Sequence, residues 1–422
     1  MIAEPLTGLV DTAFIARLGA EHLAALGVGT VVLTSGLWLF NFLSVGSQTE
    51  VSQATGRNDM VAGRRFASLA LLLAAVIGLV MSLLALTFGS TIASLMGADG
   101  SVHGYALTYI RIRAFGAPAV LLTMTCFGIL YGLADMRSPL QVAVVVNMLN
   151  IVLDWLLIFG IGPFPALGIA GGALATTISQ WIGALWCLLK VQKEMGFTIA
   201  IKASDISKLQ HIARDMFLRT GSLILFLLLA TRLATRLGTE SGAAHQAIRQ
   251  VWVFTSLFLD AAAVTAQSVV GYFFGATHQG AARQAAKWMC SWGVIIGCVL
   301  MAAMLIGHDT IATVLVPVSS LELFTPAWII AAIFQPVAAL AFVTDGIHWG
   351  TGDFAFLRNV VILATLCCAT AIGIMDLSGA GSLTAIWWIT GCWVLIRAIF
   401  GALRIWPGIG RPPLADLTDS AS

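Results

Sequence analysis

Two acids stand inside apolar runs in the first half of this chain: Asp11, in EPLTGLVDTAFIARLG, and Asp154, which closes NMLNIVLD. An ionisable group in apolar surroundings is costly unless it is paired or hydrated, so each asks for a reason. On a helix, Asn147, Asn150 and Asp154 fall at i, i+3 and i+7 and project from one face, offering two amide oxygens beside a carboxylate. Hard oxygen ligands of this kind suit a proton or a sodium ion. Thr176 or Thr177, in GGALATTISQW, adds a hydroxyl or carbonyl oxygen. Asp11 lies seven residues before Leu18 and Asp154 six before Gly160, each roughly 10 Å from a helix end, so the two acids are expected to share one pocket. The plainer alternative is that Asp11 bonds a neighbouring helix and the two asparagines join helices.

Other polar residues rank lower. Asp260, with Asn41 at the matching place in the first half, and Asn147 are candidates for a substrate contact or a second proton site, although Asp260 could instead pair with Arg232 or Arg249. Asp345 and Glu50 fall near helix ends. Arg111, Arg113 and Arg397 read as counter-ions or as side chains reaching toward water. Thirteen Met and 22 Phe could line an adaptable cavity, but in so apolar a chain they more simply face lipid or core. The seven cysteines show no metal or redox spacing, the histidines form no metal-spaced pair, and no phosphate loop or Ser-His-Asp set occurs, so no cofactor is expected and the chain by itself does not burn ATP.

The elements that must position these groups follow from composition. Of the 422 residues 59% are hydrophobic and only 10% charged, with a mean hydropathy of +0.94, against about 25% charged in soluble domains. Apolar runs of about 20 residues, each long enough to cross a bilayer, recur near residues 1 to 18, 22 to 56, 63 to 97, 104 to 132, 139 to 160, 167 to 190, 215 to 237, 242 to 275, 282 to 307, 324 to 350, 357 to 377 and 382 to 405. The first is short, which suggests that an upstream piece of it belongs before Met1. Lys and Arg crowd alternate loops (Arg57, Arg64, Arg65, Arg137, Lys190, Lys193 and others), whereas Arg17 and Arg236 mark the opposite side, so both termini are expected in the cytoplasm. The basic residues gather in no patch, which leaves no case for nucleic acid.

A polar stretch at 191–214 divides the helices six and six and reads as an amphipathic linker. Shifted by 219 residues, Thr12 meets Thr231, Arg17 meets Arg236, LGAE at 18–21 meets LGTE at 237–240, and Gln48 meets Gln267; shifted by 218, GLAD at 132–135 meets GTGD at 350–353. The expected fold is therefore an all-α integral membrane protein of about twelve spans in two parallel six-helix repeats, two lobes around a central cavity. Its parts are an N-lobe (1–190), a linker (191–214), a C-lobe (215–405) and a tail (406–422). The repeat partners of Asp11 and Asp154 are Ala230 and Ile372, so only the first lobe carries the acids.

EPLTGLVDTAFIARLG, NMLNIVLD and GGALATTIS together resemble the multidrug and toxic compound extrusion (MATE) family, its DinF branch in particular, and the likeness extends through QSVVGYFFGA and FVTDGIHWGTGD. The resemblance implies cation-coupled antiport of small organic, cationic or amphipathic molecules by alternating access. Asp11 is then the protonatable switch, with Asn150, Asp154 and Thr176 completing a site for H+ or Na+, sodium at Asp11, Asn150 and Asp154. A multi-pass protein of the bacterial inner membrane, working as a monomer, is expected. The rival readings are a flippase for a lipid-linked precursor, served by Arg111, Arg113, Arg232 and Arg249, and more remotely an intramembrane prenyltransferase, which needs more clustered carboxylates than NMLNIVLD supplies.

Overall fold

The computed structural model describes residues 3–379 and 381–414, with the side chains of 3–7, 9 and 31–38 left aside. Residues 1–2 of the first expected helix and 415–422 of the tail thus lie outside the described residues. The chain forms two compact units, Met1–Ala213 and Arg214–Ser422.

Unit 1 holds α1 (Ala3–Ala16), α2 (Ala20–Trp38), α3 (Phe42–Gly56), α4 (Met60–Leu95), α5 (Gly100–Ala114), α6 (Ala117–Gly132), α7 (Arg137–Phe159) and α8 (Ile169–Glu194). How sequence makes such an element is clearest in α4, whose 36 residues span about 54 Å at 1.5 Å per residue. Asp59 starts it by accepting a hydrogen bond from Ala62 N at 3.0 Å. Leu72, Leu79, Leu83 and Phe88 point outward, while Gly63, Ala67, Ala70, Ala74, Gly78, Ser82, Ala85 and Gly89 line the buried face. Lipid supplies no hydrophobic drive between helices, so such a small-residue face is what lets van der Waals contact hold them. At Gly78 the approach is so close that a Cβ would collide with the backbone of Pro118 on α6.

Unit 2 repeats the plan with α9 (Ala203–Arg236, shared with unit 1 through its first turns), α10 (Thr239–Gly275), α11 (Gln279–Ile306), the short α12 (His308–Leu315), α13 (Leu321–Ile333), α14 (Gln335–Thr351), α15 (Phe354–Ser378) and α16 (Leu383–Ile405). Its core includes Trp328, Trp393, Phe226 and Phe324, with the Trp393 ring stacked 4.7 Å from that of Phe226. Backbone contacts recur at the offsets read from sequence. Gly128 of α6 packs on Ser44 of α3 as Gly346 of α14 packs on Ala263 of α10, and Gly78 meets Pro118 as Gly297 meets Pro336.

Among the described residues eight helices are long and apolar enough to cross a membrane, and two bent pairs add two spans: α5 with α6, bent by 48°, and residues 318–333 with α14, bent by 44°. Adding α1 and the consecutive α2 and α3 gives the twelve segments expected. Three helices read as continuous are broken, however. In two the cause is proline, Pro118 in α6 and Pro336 in α14, each at the first or second position of the new helix. The third break lies at 39–41, with Asn41 immediately before α3 and making no side-chain capping bond. The expected linker at 191–214 is also differently built: α8 runs on to Glu194, and α9 is a single unbroken helix from Ala203. Its first turns are fastened in unit 1 by Arg65 to Asp205 at 3.2 Å and Lys208 to Glu50 at 3.0 Å, with Leu209 and Ile212 buried.

Candidate functional site

The site in unit 1 is built where α8 closes on α7. Gly171 lies so near the backbone of Leu157 that any Cβ would collide, and a Cβ on Gly172 would meet Ile15 Cδ1 at 3.2 Å and Asp154 Oδ1 at 3.7 Å. The Gly-Gly pair thus lets α7, α8 and α1 converge on one point. There Asp11 (α1) and Asp154 (α7) come close enough for each carboxyl to feel the other. Asp154 is 0% and Asn150 2% exposed. Asn150 donates from Nδ2 to Thr176 Oγ1 at 3.4 Å, and that hydroxyl donates to Gly172 O at 2.9 Å. Ionised carboxylates cannot donate to each other. Asp11 Oδ1, Asn150 Oδ1 and both oxygens of Asp154 are buried without a donor.

Among the described residues, the cation whose charge acts on both acids is Arg113, in the last turn of α5. The end of α5 is closed by Phe115 N to Ile112 O at 3.3 Å and Gly116 N to Arg113 O at 2.9 Å, and α8 adds Thr177 Oγ1 to Ile112 O at 3.4 Å and Trp181 Nε1 to Phe115 O at 2.9 Å. In the same row Arg113 Nη1 donates to Gln180 Oε1 at 2.6 Å. Sequence reasoning treated Arg113 as a generic counter-ion and missed Gln180; the GAP at 116–118 was the available signal that α5 ends beside them.

The remaining candidates are not drawn into this cluster by any side-chain hydrogen bond. Asn147 is half-buried on α7, and Asn41, half-buried, stands at the head of α3. Asp260, half-buried on α10, makes no ion pair with Arg232 or Arg249 among the described residues; Arg249 instead donates to Gln246 Oε1 at 3.3 Å. The charges near Asp260 are those of Arg219 and Asp345. Asp345, 3% exposed on α14, accepts at Oδ2 from Arg219 of α9 and from Arg397 of α16, the latter at 2.7 Å. Both guanidiniums also lie over tryptophans, Arg219 at 5.0 Å from Trp349 and Arg397 at 4.7 Å from Trp393. Arg397 is therefore a counter-ion, as its type suggested, and Asp345 is the centre of a buried charge cluster that sequence did not foresee.

Repeated six-helix halves that bury ionisable groups at the depth of long apolar spans define a multi-pass helical membrane transporter. The MatE family model matches residues 1–156 and 216–375, and the chain belongs to that family. It is 29% identical over 420 residues to Protein DETOXIFICATION 44, chloroplastic, of Arabidopsis thaliana, covering 96% of this chain and 79% of that one. It is 27% identical over 412 residues to DNA damage-inducible protein F of Escherichia coli strain K12, covering 96% and 87%. Among solved structures it resembles an outward-facing multidrug resistance MATE family transporter, with a TM-score of 0.86 at 20% identity over 97% of this chain and 93% of that one. The fold is thus the MATE fold, and the chain is a transporter rather than an enzyme, which removes the prenyltransferase reading.

Proposed function

We propose that this protein exports small organic molecules, cationic or amphipathic, in exchange for protons or sodium ions, and that the Asp11–Asp154 pair of unit 1 binds the coupling cation. The observation that carries this reading is the set of four buried oxygens without a donor, on Asp11, Asn150 and Asp154. A proton placed between the carboxyls satisfies one oxygen of each, and a sodium ion among the four oxygens serves them all. Leaving them empty costs on the order of 1–3 kcal/mol per group, more for a charge.

Coupling requires the cation to bind one conformation better than the other, and α1 is the element able to read occupancy. Asp11 joins α1 to α7 only through the shared cation; without it the two carboxylates repel. Binding outside therefore draws α1 onto α7 and favours substrate release, and cation loss inside reverses it. Composition and loop charge support a multi-pass membrane protein with both termini cytoplasmic, and a bacterial inner-membrane location and action as a monomer complete the proposal. Of the four arginines offered for the flippase reading, Arg113 donates to Gln180 and Arg249 to Gln246 while Arg111 and Arg232 are exposed, so no buried cluster of cations favours a phosphate over a cation-coupled substrate.

The test is ethidium movement in proteoliposomes under an imposed pH or sodium gradient, comparing wild type with Asp11→Asn. Drive by one gradient, lost in the variant, is expected and names the ion. Equal movement by both proteins under every gradient refutes the assignment.

A further inference from the structure

Where α11 ends, α12 lies and α13 begins, unit 2 has an open cleft of about 250 Å³. We propose that this cleft holds the headgroup end of one bilayer phospholipid that carries an ammonium group, as phosphatidylethanolamine does, with Asp309 as its counter-charge. The cleft is separate from the acids of unit 1, and the proposal does not depend on their role.

The apolar half of the site begins on α11. Trp288, Trp292, Ile295, Val299 and Ile306 are all exposed and, at 3.6 residues per turn, fall within about 40° of one line along the helix. Ala286, Cys290, Gly293, Gly297 and Met304 are buried on the opposite side. In so apolar a chain an exposed stripe of this kind faces acyl chains. From Trp288 to Ile306 the helix rises about 27 Å, close to the roughly 30 Å of a hydrocarbon core. Lys287 stands beside Trp288 at the end that loop charge assigns to the cytoplasm, so Ile306 reaches the outer boundary, where chains give way to headgroups. The cleft continues this stripe, lined from α11 by Leu305 and Ile306 and from α13 by the buried Trp328 and the exposed Ile329. Val314, Leu315 and Val318 carry the exposed apolar surface onward, as suits a short helix lying in the interface.

The polar half is acidic. His308 donates from Nδ1 to Asp309 Oδ1 at 2.8 Å, and its Nε2 lies 3.1 Å from Thr325 Oγ1, which ties α12 to α13. The Asp309 side chain is 98% exposed, and Glu322, the next acid along the chain, is exposed as well. Between Lys287 and Arg358 the sequence contains no Lys or Arg. Arg236, at the end of α9, is paired with Asp376 at 2.7 Å. A headgroup at this level therefore meets carboxylates, which attract an ammonium and repel an anionic lipid. Clefts that take a whole drug-sized molecule run to about 300–1,000 Å³. This smaller one suits a headgroup whose chains lie along the α11 stripe.

In unit 1 the matching joint is only residues 96–99, between α4 and α5. Helix α12 is thus an addition of unit 2 and no part of the shared scaffold.

Native mass spectrometry of the purified chain in detergent tests this, with phosphatidylethanolamine or phosphatidylglycerol of the same acyl chains added in equal amounts. Wild type should retain one phosphatidylethanolamine more than Asp309→Asn, whose affinity for that lipid should be at least about tenfold lower, as for a lost hydrogen bond to a charged group. Because Asp309 is exposed, the replacement leaves packing intact. Ile329→Trp, which fills the cleft, should lose the same molecule, and all three proteins should retain phosphatidylglycerol alike. Equal binding of phosphatidylethanolamine by wild type and Asp309→Asn overturns the proposal, as does an equal loss of phosphatidylglycerol in that variant or retention of the extra molecule by folded Ile329→Trp. Added ethidium should leave the count unchanged; displacement of the extra lipid by ethidium would make the cleft a site for an organic cation and overturn the lipid assignment.

Discussion

Gly128 of α6 lies directly on the backbone of Ser44 in α3, with no room between them for a Cβ. Gly346 makes the same contact with Ala263 in the second unit. Because backbone rather than a movable side chain would be struck, Gly128→Ala and Gly346→Ala should each destabilise by about 1–3 kcal/mol, the usual cost of overpacking. Gly104, which has nothing within 4 Å of its would-be Cβ, serves as the control. Thermal unfolding in detergent should show lowered midpoints for the first two variants and an equal or slightly raised one for Gly104→Ala, which gains helix propensity without a collision.

Asp345 should be the most sensitive charged position in unit 2. Replacing it by Leu leaves Arg219 and Arg397 buried against each other, and breaking a buried pair in this way typically costs about 3–5 kcal/mol. Replacing all three at once, with Met for each arginine and Leu for Asp345, removes the desolvated charges together and should recover most of that loss. Comparison of the single and triple variants by thermal unfolding checks this.

Thr176 ties Asn150 to α8 through one hydroxyl. Thr176→Val keeps the shape and removes the acceptor, a loss of about 1 kcal/mol for a neutral hydrogen bond, or roughly fivefold in cation affinity. Half-saturating cation concentration for transport should rise by that factor with little change in maximal rate.

Asp135, in the turn between α6 and α7, predicts an acid limb of stability. Partial burial pushes its carboxyl up, but hydrogen bonds from the Ser138 hydroxyl and backbone, the charge of Lys190 and a bond from Arg137 N outweigh this and hold it below the usual carboxylate range. A carboxyl held lower in the folded state adds stability that is present above its unfolded value, about 3.9, and lost as pH falls through the folded value. Asp135→Asn should thus lower the unfolding midpoint at neutral pH and narrow its difference from wild type in acid.

Much of this architecture was legible in the residues. Asp11 and Asp154 could be matched in depth because each sits a fixed number of residues from a helix end, and the structure places them side by side. Thr12 with Thr231 and Gln48 with Gln267 exposed the repeat because backbone contacts such as Gly128 on Ser44 tolerate no drift in register. The breaks in the fourth and tenth spans were missed although Pro118 and Pro336 were visible, since a proline in an apolar run bends a span as readily as it ends one. The break at 39–41 carries no proline at all. Arg397 was legible as a counter-ion, but its meeting with Asp345 and Arg219 was not, because the three come from separate helices and no local spacing records their contact.

The central claim is that Asp11 and Asp154 couple transport to a cation. It is tested most directly by measuring, on one batch of proteoliposomes, both gradient-driven uptake of ethidium and its exchange with no gradient, for wild type and Asp154→Asn. The account predicts that the variant loses gradient-driven uptake while retaining exchange. Gradient-driven uptake by Asp154→Asn at the wild-type level would contradict it.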